Sequence, residues 1–228
     1  METVINLILW VTAIAQFVVA VMSFINGGLA RRTIIASLMM ISGAIFAIIL
    51  TFNSLITDEN AFFFNQFIMI VCCCLFYLMT LLGISYVHIT SKSFYTIAVS
   101  SLIPMLCMMA SIVFRIDLYF PSIEASEAGK VTLTSNPLGL LVIGMMIVTY
   151  VSIGIVSLVI ARKQASSALG KKLIRNIIIG ITIGTLAVMI FNLANAEVHE
   201  LHPIGPIGML VMTILIYSAL VKHGDDEL

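Results

Sequence analysis

Residues 3–57 read TVINLILWVTAIAQFVVAVMSFINGGLARRTIIASLMMISGAIFAIILTFNSLIT, and the only charges among them are Arg31 and Arg32. Each uncharged run flanking that pair is long enough for a helix crossing a hydrocarbon layer, which takes roughly 20 residues. The pattern continues along the chain. Five more uncharged stretches cover residues 60–91, 93–114, 131–161, 176–196 and 201–221, making seven in all. Backbone polar groups in lipid must pair within their own segment, so each stretch is expected to be a helix. Strands are disfavoured because the stretches lack period-two alternation and are about twice the length a barrel strand needs. The expectation is an all-α integral membrane protein, a single seven-helix bundle over 1–228, with spans near 4–27, 33–53, 62–87, 94–114, 138–161, 174–196 and 203–222.

Composition points the same way. The chain of 228 residues is 61% hydrophobic and 10% charged, with a mean hydropathy of +1.17. Soluble domains carry nearer a quarter charged residues. Seven spans leave little sequence for a soluble catalytic domain. The first stretch is too long for the apolar region of a signal peptide, and Glu2 stands where that region's basic flank would be.

Lysine and arginine set an orientation. Nine of them (Arg31, Arg32, Lys92, Arg162, Lys163, Lys171, Lys172, Arg175, Lys222) fall in alternate connections, against only Arg115 and Lys130 in the others. Short basic loops stay in the cytoplasm, so the N-terminus is expected outside and the C-terminus inside. Aromatics near several span ends (Phe62, Phe63, Phe64, Tyr86, Phe94, Tyr95, Tyr119, Phe120) read as an interfacial belt. Pro104 should bend the fourth span. The outer segment after Arg115 contains VTLT, residues 131–134, which suits a short strand in a hairpin cap. The inner segment RKQASSALGKK, residues 162–172, should extend the fifth or sixth helix and turn Lys171, Lys172 and Arg175 toward anionic headgroups.

The span cores contain no ionisable residue, which argues against proton relays and coupled pumps. The last span lacks the lysine a retinal Schiff base requires, and no nucleophile turn or buried set of metal ligands is present. Catalytic residues, metal ligands and cofactors are therefore expected to be absent, as is nucleic-acid binding. In EVHELHP, residues 197–203, Glu197, His199, Glu200 and His202 have no established zinc spacing, and interfacial histidines explain them better. Cys72, Cys73, Cys74 and Cys107 lie mid-span and suit apolar packing; so do the paired methionines.

Uncharged polar residues cluster at the outer ends: Asn53, Asn65, Gln66, Asn192 and Asn195, followed by His199 and His202. Asn192, Asn195, His199 and His202 share a helical stripe. Two readings stand, interhelical glue and a ligand pocket open to the outside. Gln16, Asn26 and Asn176 lie off this cluster and read as packing or interfacial residues. Gly180 and Gly184 form a small-xxx-small pair for close helix approach, either within the chain or in a homodimer.

The segment RKQASSALGKKLIRNIIIGITIGTLAVMIFNLANAEVHELHPIGPIGMLVMTILIYSALVKH, residues 162–223, resembles the seven-helix N-terminal sensor region of bacterial histidine kinases. The matching positions are Lys171, Lys172, Arg175, Gly180, Gly184, Asn192, Pro203, Gly205, Pro206 and Gly208, together with span count and topology. The resemblance implies a sensor or receptor module of a bacterial inner membrane, without enzyme activity of its own. It would bind a small extracytoplasmic or membrane-borne ligand and act through a fused output domain or a cytoplasmic signalling partner. A small solute carrier or channel is the alternative, and a non-catalytic scaffold subunit a third. A sensor needs no continuous polar path across the bilayer, and few polar residues are available in the inner half to line one.

Overall fold

The computed structural model describes residues 2–52, 61–87, 89–119, 122–125, 131–134, 136–195 and 204–221. Seven helices follow one another: α1 (Glu2–Gly27), α2 (Arg31–Thr51), α3 (Ala61–Ser85), α4 (Ser91–Phe114), α5 (Pro137–Gln164), α6 (Ala168–Asn195) and α7 (Ile204–Val221). Between α4 and α5 lie a 3-10 turn (Ile116–Leu118) and an antiparallel ribbon, β1 (Ser122–Ala125) with β2 (Val131–Thr134), in which Ser122 faces Thr134 and Ala125 faces Val131. The ribbon is the hairpin expected around VTLT. Helices α1 to α6 are each long and apolar enough to cross a membrane, and the apolar part of α7, Gly205–Leu220, is shorter. The protein is a helical integral membrane protein.

Local chemistry explains the helix ends. At the end of α1, Gly28 takes a positive φ of 59° and its N–H bonds the Phe24 carbonyl. A residue with a Cβ resists that conformation. Thr90 caps α4 by accepting from the Ser93 N–H, and Asn136 caps α5 by accepting from the Leu138 N–H, with Pro137 in the first turn. Ser167 caps α6 through the Gly170 N–H at 2.8 Å. The basic segment is therefore mostly helical: α5 continues to Gln164 and α6 starts at Ala168.

Helices α1, α2, α3, α5, α6 and α7 form a closed ring in which each packs on the next and α7 returns to α1; α4 lies outside, on α3. One large core cluster runs through the ring, with Met39, Met40, Phe76, Met79, Leu82, Leu158, Ile177 and Met212 fully buried. The outward faces are apolar as well. Leu7, Ile14, Val99, Ile103, Leu106, Val148 and Val156 are each more than half exposed, as a lipid-facing surface requires and a water-facing one does not tolerate at this extent.

Glycines set the closest helix approaches. A Cβ on Gly83 of α3 would sit 2.7 Å from the Gly154 Cα of α5. Gly180 and Gly184 of α6 face α7: added Cβ atoms would lie 3.3 Å from the Met212 carbonyl oxygen and 2.8 Å from the Met212 Sδ, respectively. This small-residue pair is a contact within the chain.

Two tyrosines hold the middle of α4. Tyr77 of α3 donates to the Ala98 carbonyl at 2.8 Å, and Tyr150 of α5 donates to the Ser101 carbonyl. Pro104 removes a backbone donor in this stretch of α4, and neighbouring side chains commonly satisfy carbonyls around such a break. Thr80 adds a 2.7 Å bond to the Tyr150 carbonyl.

Candidate functional site

Three places in the bundle carry polar groups beyond those needed for caps. At the end bearing Arg31, two arginines fasten three helix ends. The Arg31 guanidinium lies 4.3 Å from the Phe94 ring centroid and donates to the Ser91 Oγ at 3.2 Å. Arg32 lies 4.5 Å from the Tyr86 centroid and donates to the Ser85 carbonyl at 3.2 Å. Cation–π contact suits the weakly hydrated guanidinium. Tyr86 and Phe94 are buried here, and Tyr119 is buried against Met108 and Ser111. The interfacial belt expected from sequence therefore does not include these three, because arginine stacking and hydrogen bonding draw them inward. Phe63 and Tyr95 remain exposed.

The second place holds the amides expected at the outer ends of the spans. Gln66 sends its Nε2 to the Ile112 and Val113 carbonyls, at 3.3 and 3.0 Å. These are among the last carbonyls of α4, which lack intrahelical donors. Gln66 thus ties α3 to α4. Asn65 is half-buried one residue before it. Asn192 and Asn195 lie in the last turn of α6; their side chains, and residues Asn53, His199 and His202, lie outside the described part. Beyond α4, Arg115 donates twice to Asp117 at 3.1 Å, holding that exposed carboxyl below its ordinary range.

The third place surrounds Gln16, whose neighbours Thr12 and Ser23 were not singled out in the sequence. Thr12, Gln16 and Ser23 occupy one face of α1 and are buried to 2% exposure or less. Ser37 of α2 and Thr213 of α7 are buried too. A Cβ on Gly43 of α2 would lie 2.9 Å from the Gln16 Oε1 and 3.0 Å from the Met209 Cε, which places the carboxamide at the junction of α1, α2 and α7. Among the described residues neither Gln16 atom has a hydrogen-bond partner, nor do the Ser23 and Ser37 hydroxyls. An unsatisfied buried amide costs about 1–3 kcal/mol. Farther along the same face, Asn26 donates to the Tyr217 hydroxyl at 3.4 Å. Of the two roles expected for Gln16, packing and interfacial, the structure has the first: it is an interior residue of a three-helix joint. The signal in the sequence is its spacing with Thr12 and Ser23, which puts three neutral polar residues on one helical face.

A cationic groove lies at the turn between α5 and α6, lined by Arg162, Ala168, Lys171, Lys172 and Arg175. Among the described residues no Asp, Glu, Lys, Arg or His is buried. No family model matches this chain, and no curated protein does.

Proposed function

We propose that the chain is a seven-span membrane sensor or receptor module, with its N-terminus outside and its basic end in the cytoplasm. The observation that carries this reading is the unpaired Gln16 carboxamide at the α1–α2–α7 joint. A packed core is bistable, not continuously deformable. A small rotation of α1 or α7 that gave this amide a partner would recover the cost of leaving it bare, which is what a second arrangement close in energy requires. A ligand that bound one arrangement better would shift the population. Helix α7 is part of the joint and runs toward the basic end, where a fused output domain or partner protein would read its position. Its 18 residues rise about 27 Å, close to the roughly 30 Å hydrocarbon thickness, so it serves as the seventh span. The ligand is taken to be small and extracytoplasmic or membrane-borne, entering near Asn65, Asn192 and Asn195. The likeness of residues 162–223 to bacterial sensor regions supports the reading and suggests a bacterial inner membrane.

One observation favours the carrier instead. Ser23, Ser37 and Thr213 add neutral oxygens on the basic-end side of Gln16, where the sequence offered few polar residues. A solute needs such a row, whereas a sensor does not.

Paired cysteines at Asn26 and Tyr217, introduced after replacing the four native cysteines, separate the two. A receptor predicts that oxidative cross-linking in vesicles changes when candidate amphiphiles are added, with no solute flux. Saturable flux abolished by Gln16→Leu, with invariant cross-linking, would replace the receptor by the carrier.

A further inference from the structure

The groove at the α5–α6 turn is built by two helices. Lys171, Lys172 and Arg175 fall on one stripe of α6 with Ala168, and Arg162 reaches the same groove from the last turn of α5. Its volume is about 210 Å³. The first turn of α6 contains no acidic residue, and residues 131–196 contain none at all. The lining cations are exposed, and none makes an ion pair among the described residues. The groove is also continuous with the lipid-facing surface. Val159 lies one turn from Arg162 and Ile179 one turn from Arg175, each toward the apolar part of its helix, and both are more than 40% exposed.

We infer that this groove binds the phosphate of an anionic phospholipid, whose acyl chains lie along Val159 and Ile179. Charge alone would accept any acidic group. The adjoining apolar strip selects a lipid over a soluble phosphate or an acidic peptide, because only a lipid presents both surfaces together. Cations clustered between helix ends at the cytoplasmic face are suited to this chemistry. The inference holds for a receptor and for a carrier alike.

The test is a lipid titration of the purified full chain in non-ionic detergent, with bound lipid counted by native mass spectrometry. Phosphatidylglycerol should bind in preference to phosphatidylcholine. Each cation contributes roughly fivefold near an anionic surface, so the triple variant Lys171→Gln, Lys172→Gln, Arg175→Gln should lose about a hundredfold. The charge-conserving set Lys171→Arg, Lys172→Arg, Arg175→Lys should retain binding, which separates loss of the site from loss of the fold. Lys163→Gln, a cation at the same end that does not line the groove, should leave affinity unchanged. Four results would overturn the inference. Equal binding of the two lipids removes the site, and equal losses from Lys163→Gln and Lys172→Gln reduce it to a diffuse field. Glycerol phosphate competing as well as the whole lipid makes the ligand a soluble phosphate. Binding that emerges only after Asp225, Asp226 and Glu227 are neutralised would make the chain's own acidic tail the occupant.

Discussion

A single amide sets the chemistry at the residue scale. Gln16 is fully buried, and both polar atoms lack partners among the described residues; at most other interior positions of the ring the side chains are aliphatic, aromatic or methionine. Replacement by a residue of similar length without polar atoms removes the desolvation cost and keeps the volume. Gln16→Met should therefore stabilise the protein, by about 1–3 kcal/mol, seen as a higher midpoint of thermal unfolding in detergent. A lower midpoint would mean that the amide is satisfied in the working state and that the joint is not poised. The same variant should freeze the cross-linking response between positions 26 and 217, so that stability rises while switching is lost. How much of this was legible depends on the residue. Gln66 was visible as an outer polar residue, but its use on the α4 carbonyls was not, because which helix lies beside α3 is a tertiary fact. Gln16 was visible too. Its burial follows from Gly43, a gap on another helix that a pattern read one span at a time does not connect to it.

Helix contacts here are made by small residues, as expected where lipid offers no hydrophobic drive for association. Glycine has two uses among these helices, and substitution distinguishes them. At Gly83 a methyl group would meet the α5 backbone at Gly154, and backbone cannot yield as a flexible side chain can. Gly83→Ala should destabilise by about 1–3 kcal/mol, the usual range for overpacking. At Gly144 a Cβ would meet nothing within 4 Å. There alanine restores helix propensity, a gain of up to about 1 kcal/mol in a water-based scale. Thermal unfolding of the two variants should shift in opposite directions; equal shifts would mean that α3 and α5 do not touch at Gly83. The helices themselves were legible from the charge-free stretches because each had to satisfy its backbone alone. Their neighbours were not. The GxxxG spacing of Gly180 and Gly184 announced a close contact, while its partner around Met212 followed only from the fold. The tyrosines that bond to α4 were not legible for a related reason. Tyr77 and Tyr150 lie mid-span on α3 and α5, and only the fold sets the Ala98 and Ser101 carbonyls of α4 opposite them.

For the whole molecule, the decisive quantity is the asymmetry between its two ends. Arg31, Arg32, Lys92, Arg162, Lys163, Lys171, Lys172 and Arg175 all belong to the end where α1, α3 and α5 finish and α2, α4 and α6 begin. Two of these residues have structural duties, stacking on Phe94 and Tyr86, so their presence is not solely a topological signal. The cations around the α5–α6 turn have no such duty among the described contacts, and they carry the orientation argument with less ambiguity. Translocation of short basic segments is opposed, so the proposed orientation puts this end in the cytoplasm. Helix α7 begins at the opposite end from α6 and packs antiparallel to it, since Gly208 meets Ala187 while Gly180 meets Leu215. Residues after Val221 should then emerge on the basic side. Alkaline phosphatase fused after His223 should be inactive in a bacterial host, because the enzyme matures only outside the cytoplasm. The same enzyme inserted after Ala128, between the two ribbon strands, should be active. The pair guards against a fusion that merely fails to fold, since each site expects a different result. Activity at position 223 with none at 128 would reverse the bundle, put the cationic groove in the outer leaflet, and remove the cytoplasmic exit that a sensor requires.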